Sequence, residues 1–191
     1  MKSLTLPSKI TIDGIDYAVN TDFLVWIEIG NIISSRDFNP YEKTAKILKL
    51  CYRDTLPPTI KKALDGILNF YRGGKEPSKI TDQSSGVPVI EFTEDFGLIA
   101  AAFLHDYKID LWENSLHWWK FRDLFSGLNE ENKIVKIMGY RGINIGEIKN
   151  KDQKQFYKKM KSLYRLKDNR SQPEKEQDML DKLSGIYEEV K

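Results

Sequence analysis

Apolar positions along the chain change period after the first twenty residues. Ile10 and Ile12 alternate with polar neighbours, Asp13-Gly14 is a type I′ turn signal, and Ile15, Tyr17 and Val19 alternate again. This is the signature of a β-hairpin, and Leu4 and Leu6 before Pro7 are placed to add a short strand. So few strands are not stable alone, so the hairpin is expected to pack on helices. From Thr21 onward the spacing becomes three and four. Thr21-Asp22 caps a helix with Phe23, Leu24, Trp26, Ile27 and Ile29, ending near Ser34–Ser35. Asn39-Pro40 opens a second through Tyr41, Ala45, Leu48 and Tyr52. Pro57-Pro58 opens a third, with Ile60, Ala63, Leu64, Ile67, Leu68 and Tyr71 in register and Gly73-Gly74 closing it.

The strongest pattern lies between Glu91 and Arg141, which holds three of the four tryptophans and both histidines. Phe92, Phe96, Ile99, Ala100, Phe103 and Tyr107 line one face of a helix starting near Thr93. After a break at Asp106–Asp110, a second helix carries Leu116 to Phe121 and stops at Gly127. Trp118, Phe121, Phe125 and Leu128 line one arc of it, and Trp112, Leu116 and Trp119 line nearly the opposite arc. Such a helix is sandwiched at the centre of a fold, or it offers its second arc to a partner.

Asn129 caps a further helix through Ile134, Val135, Ile137 and Met138, and a turn-rich segment leads to another from about Asp152 to Leu166. Lys167–Gln172 reads as a polar hinge. Pro173 then starts a last helix with Met179, Leu180, Leu183, Ile186, Tyr187 and Val190 on one stripe. The expected architecture is mainly α: a compact helical bundle with a small N-terminal β-hairpin and an amphipathic C-terminal helix. Residues 1–166 form the main domain, interrupted by a mobile loop or linker at 73–89, and residues 167–191 form the hinge and terminal helix.

Composition narrows the class. With 40% hydrophobic and 30% charged residues and no stretch of 18 apolar residues, the chain reads as globular, with no membrane span. MKSLTLPSKITIDG has no apolar core of a secretory signal, so a cytoplasmic protein is the simplest expectation. The single Cys51 excludes an intramolecular disulfide and reads as a small buried apolar residue. A net charge of +2 hides a division. Asp82–Glu131 carries ten acidic and three basic residues, whereas Lys133–Arg170 carries twelve basic and three acidic.

Residues suited to catalysis are sparse. His105 and His117 stand apart, without HxxxH, HExxH or CxxC spacing, so no metal site is expected. Gly139, Gly142 and Gly146 match no phosphate-loop pattern and read as turn glycines. There is no GxSxG, and no catalytic or cofactor-binding residue is assigned. The most distinctive surface lies on the helix near 152–166. Lys154, Lys158, Lys161 and Arg165 form a cationic stripe beside the apolar Phe156, Met160, Leu163 and Tyr164. It suits nucleic acid, an anionic surface or an acidic protein, and equally a solvated face.

Phe92, Asp95, Ile99, Ala101 and Phe103, then Tyr107, Ile109, Asp110 and Leu111, then Leu116-His117-Trp118-Trp119-Lys120-Phe121 resemble the bacteriophage gene-product-15 family. The likeness continues through Lys136-Ile137, Tyr140-Arg141 and Phe156-Tyr157 to Met160, Leu163 and Tyr164. Lys108 stands where the pattern leads one to expect glycine. The family belongs to the tail-gene cluster of long-tailed phages and prophages of Gram-positive bacteria and brings no catalytic residues. The resemblance implies a tail assembly chaperone working in the host bacterial cytoplasm.

The sequence therefore leads to a non-enzymatic chaperone without cofactor or metal, whose partner is the tape-measure protein or another tail protein. Trp112, Leu116, Trp119, Lys154, Lys158, Lys161 and Arg165 are its candidate binding residues. Self-association is left open. The alternatives are a nucleic-acid-binding regulator using the basic helix, disfavoured by the acidic block, and a structural tail component.

Overall fold

The computed structural model describes residues 5–75 and 88–167. The hairpin pairs β1 (Lys9–Ile12) antiparallel with β2 (Ile15–Ala18), and Ile10 lies opposite Tyr17. Asp13 and Gly14 both have positive φ, 52° and 80°, as the type I′ turn requires. Ile10, Ile12, Tyr17 and Val19 are buried, but Ile15 is exposed. Leu6 belongs to no strand, and Leu4 lies outside the described residues, so the added strand is absent among them.

Seven α-helices follow among the described residues: α1 (Phe23–Ser34), α2 (Pro40–Cys51), α3 (Ile60–Tyr71), α4 (Phe92–Tyr107), α5 (Trp118–Ser126), α6 (Lys133–Gly142) and α7 (Lys151–Leu163). The fold is thus mainly helical with a small hairpin at its N-terminal end, as the periodicity predicts. The expected caps hold at α1 and α2. Asp22 accepts from the Leu24 N–H, and Asn39 with Glu42 completes a capping box behind Pro40. Elsewhere the starts shift. Thr59 rather than the proline pair precedes α3 directly, Glu91 rather than Thr93 caps α4, and Asn132 rather than Asn129 precedes α6. Thr93 instead accepts a hydrogen bond from the Asn31 amide, tying α4 to α1.

The hairpin packs on α3, and Gly66 makes the contact possible. A β-carbon there would lie 2.7 Å from Ile10 Cγ2, so only glycine lets helix and strand approach this closely. Tyr52 closes the same corner by donating its hydroxyl to the Ala63 carbonyl. The main core is aromatic. Phe23, Trp26, Phe103, Trp118 and Phe121 are fully buried, and ring centroids lie 4.8 Å apart for Phe23–Phe121 and 4.6 Å for Trp26–Phe70. Offset stacking at such distances adds about 0.5–1.5 kcal/mol per pair beyond area burial.

Two long-range backbone bonds lock α1 and α5 end to end. Phe23 N–H donates to Leu116 O at 2.9 Å, and Trp118 N–H donates to Thr21 O at 2.7 Å. Among the described residues, no helix is long and apolar enough to cross a membrane.

Candidate functional site

The tryptophan-rich segment is where sequence and structure part. Helix α5 begins at Trp118, with His117 as its N-cap, so Trp112 and Leu116 precede it and share no helical arc with Trp119. Leu116 is buried in the core, where its carbonyl bonds α1. Trp119 is half-buried, its indole N–H donating to Phe70 O at 2.8 Å. Trp112 is 72% exposed in a turn, its ring edge-on to Phe96 at 4.7 Å. Of the three, only Trp112 is broadly open to solvent. Its turn is held by Asp110, whose carboxylate accepts from the Trp112 N–H.

The first arc holds better. Trp118, Phe121 and Leu128 are buried, and Phe125 is half-buried. The Trp118 indole donates to Tyr71 O at 2.9 Å, so burial leaves no polar atom orphaned there. His117 is bonded on both nitrogens. Nδ1 accepts from the Trp119 N–H, so Nε2 carries the proton that it donates to Pro7 O at 2.8 Å.

Helix α7 packs on α6 through aromatic side chains. Tyr157, Met160, Lys161 and Tyr164 are half-buried, with Phe156, Tyr157 and Tyr164 packed about Tyr140 of α6. Phe156 and Leu163 are 49% and 65% exposed. The cationic stripe is accordingly divided. Lys161 donates to Ile143 O at 2.9 Å and caps the end of α6, Lys154 is half-buried, and Lys158 and Arg165 are exposed.

A surface that the sequence reading did not single out lies between α1, α2 and α3. Ile33, Phe38, Leu64 and Leu68, with the buried Ile47 and Ile67 beneath, line an open apolar groove edged by Lys43 and Thr44. Ile33 and Leu68 are 40% and 37% exposed. The signal was the width of the α3 stripe. Ala63, Ile67 and Phe70 fill the core, leaving Ile60, Leu64 and Leu68 as a second row at four-residue spacing. Lys43 reaches from α2 to α1 to donate to Ile33 O, and Lys46 sits over the Phe38 ring at 4.7 Å.

Sequence reasoning also missed a buried ion pair. Asp95 on α4 and Arg141 on α6 are joined by two hydrogen bonds, and Arg141 also donates to the carbonyls of Val89 and Tyr164. The signal was an acidic residue inside the apolar face running from Phe92 to Ile99. Among the described residues, no group of three or more His, Cys, Asp or Glu could hold a metal. Cys51 is fully buried, and burial pushes its thiol up to about 12.

No curated protein and no solved structure matches the chain. A protein family does match, over residues 3–166, and it is described as Bacteriophage Gp15 protein. That span includes the hairpin and all seven described helices, so the chain belongs to the bacteriophage Gp15 protein family.

Proposed function

We propose that this phage protein is a non-enzymatic tail assembly chaperone, acting in the host bacterial cytoplasm. It covers an amphipathic helix of the tape-measure protein, or an apolar face of a tail-tube subunit, until assembly displaces it. The observation that carries this reading is the open apolar groove between α1, α2 and α3, with Ile33, Phe38, Leu64 and Leu68 available to a helix. Helix-in-groove packing gives affinity without chemistry and is reversible, as a chaperone needs. Trp112 is a second, separate anchor, because exposed tryptophans dominate protein interfaces when they become buried.

The test is co-expression with neighbouring tail proteins and recovery of complexes by pulldown. Wild type is expected to recover the tape-measure or tube protein, and Leu68→Asp to lose it while its melting temperature stays near wild type. Equal recovery by both proteins, or no tail protein at all, would refute the reading.

A nucleic-acid-binding regulator is the second reading, favoured by the five lysines and single aspartate of α7. The partial burial of Lys154 and the Lys161–Ile143 bond weigh against it. Changing Lys154, Lys158, Lys161 and Arg165 together to Gln separates the two. Phosphate binding falls steeply with salt and is lost in this variant, whereas groove binding survives both.

A further inference from the structure

We infer that the groove between α1, α2 and α3 selects an amphipathic helix with one acidic flank, its carboxylates lying along the edge that meets α2. The inference rests on the helix-binding role proposed above for this groove and adds which helices it accepts. Ile60, Leu64 and Leu68 stand at four-residue spacing on α3, a row about 12 Å long. That length suits two to three turns of a partner helix, read through apolar residues at i, i+4 and i+7.

The two walls differ in charge. On the α2 side Lys43 lines the groove and Lys46 stands over the Phe38 ring. Among the described residues, neither lysine is ion-paired. The carboxylates closest to them in sequence are committed elsewhere. Glu42 accepts from the Asn39 N–H in the capping box, and Asp37 accepts from the Ser35 hydroxyl. Lys43 spends one N–H on Ile33 O at 2.9 Å, which fixes the ammonium at the rim and leaves two donors for a carboxylate. On the α3 side Lys61 and Asp65 lie one turn apart on the outer flank of the apolar row, so that wall is balanced.

Apolar contact therefore supplies the affinity, and the two ammonium groups supply the choice. They also set direction. Turning such a helix end for end would carry its carboxylates to the α3 wall, away from both lysines. A second copy of this chain is the wrong occupant on charge. Helix α7, which leaves Leu163 exposed, carries five lysines against one aspartate and would bring like charge to the rim. The stripe from Met179 to Val190 lies outside the described residues, and the groove is assigned without it.

The test uses three synthetic peptides, stapled to hold them helical, with one apolar stripe in common and a flank of Glu, Gln or Lys. Their binding to the full chain is followed by fluorescence anisotropy. The Glu-flanked peptide is expected to bind about tenfold tighter than the Lys-flanked one, with the Gln-flanked one between, and added salt narrows the spread. Lys43→Glu with Lys46→Glu is expected to reverse the order. Lys46→Glu alone, which keeps the Lys43–Ile33 bond, is expected to narrow it. Leu68→Asp is expected to lose all three peptides. Equal affinities that Leu68→Asp still abolishes would overturn the charge selection and leave the groove a helix-binding site. An order unchanged in both lysine variants would overturn it too, as would self-association of the chain that excludes the peptides. If no peptide binds, the inference falls, and the pulldown of tail proteins decides separately whether the chaperone reading falls with it.

Discussion

Arg141 holds Asp95 through two hydrogen bonds, 2.6 Å from Nη1 to Oδ2 and 3.1 Å from Nη2 to Oδ1. Both side chains are almost fully buried. The guanidinium is further committed to Val89 O at 3.1 Å and Tyr164 O at 2.6 Å, and Asp95 Oδ2 also accepts from the Glu91 N–H. One side chain on α6 therefore fixes the entry to α4, the face of α4 and the end of α7. Breaking such a pair from one side leaves an uncompensated buried charge and costs about 3–5 kcal/mol. Asp95→Ala is expected to destabilise by that amount in denaturant unfolding. Adding Arg141→Met to it is expected to recover only part, because the Val89 and Tyr164 carbonyls then lose their donor. Full recovery by the double variant would contradict the shared-hub arrangement.

The four tryptophans give a ranked series. Trp118→Ala and Trp26→Ala remove fully buried stacked rings and are expected to cost about 3–5 kcal/mol each. Trp119→Ala removes a half-buried ring and its bond to Phe70 O, and is expected to cost about 1–3 kcal/mol. Trp112→Ala is expected to stay within about 0.5 kcal/mol of wild type, as surface changes do. Thermal or urea unfolding of the four variants measures the order directly, and any loss of partner binding by Trp112→Ala can then be separated from unfolding.

Lys108 closes α4 in the left-handed region, at φ 57° and ψ 30°. That conformation costs a non-glycine residue about 1–2 kcal/mol, and glycine adopts it freely at the price of a more disordered unfolded chain. The lysine recovers a little by donating from Nζ to His105 O. Lys108→Gly is expected to raise stability by about 0.5–1 kcal/mol, whereas Lys108→Ala, strained and without that bond, is expected to lower it. Opposite signs for the two substitutions are the outcome to look for.

Asp106 organises the turn into α6. It accepts from the Asn129 backbone N–H at 2.8 Å and from the Asn132 side chain at 2.7 Å, and it pairs with His105. The Asn129 bond, followed by the contact with His105, holds its carboxyl below the usual aspartate value of 3.8. A folded-state value lower than the unfolded one contributes stability above the unfolded value, and that stability is lost as pH falls through the folded value. The advantage of wild type over Asp106→Ala is thus expected to be full at neutral pH and to shrink only below about pH 4. An advantage that is constant with pH in acid unfolding curves would show that the bonds do not depend on ionisation.

What could be read from the sequence was local. The Asp22 and Asn39 caps and the Asp13-Gly14 turn depend on residues within a few positions, so composition and spacing reveal them. The α4 stripe from Phe92 to Tyr107 was legible because its period is uninterrupted. The arc of Trp112, Leu116 and Trp119 failed because the helical wheel was extended back across a turn, through residues whose backbone is not helical. Apolar spacing alone does not reveal that His117 begins the helix, since its capping role depends on Pro7 far away. How α7 packs was not legible, for another reason. Tyrosines and the stems of lysines cover Tyr140 and the end of α6 as well as aliphatic residues do.

The clasp between Thr21–Phe23 and Leu116–Trp118 bears on the protein's synthesis. The chain leaves the ribosome from its N-terminus, so Phe23 and Trp26 emerge long before Trp118 and Phe121, the rings that cover them in the core. Contacts of such sequence separation form late and slowly, and until then Trp26 has Phe70 beside it but not Trp118, and Phe23 has Phe96 but not Phe121. A nascent chain stalled before Leu116 therefore leaves part of the buried face of α1 uncovered. Once α5 has emerged, Trp118 and Phe121 can complete the cover of the first helix.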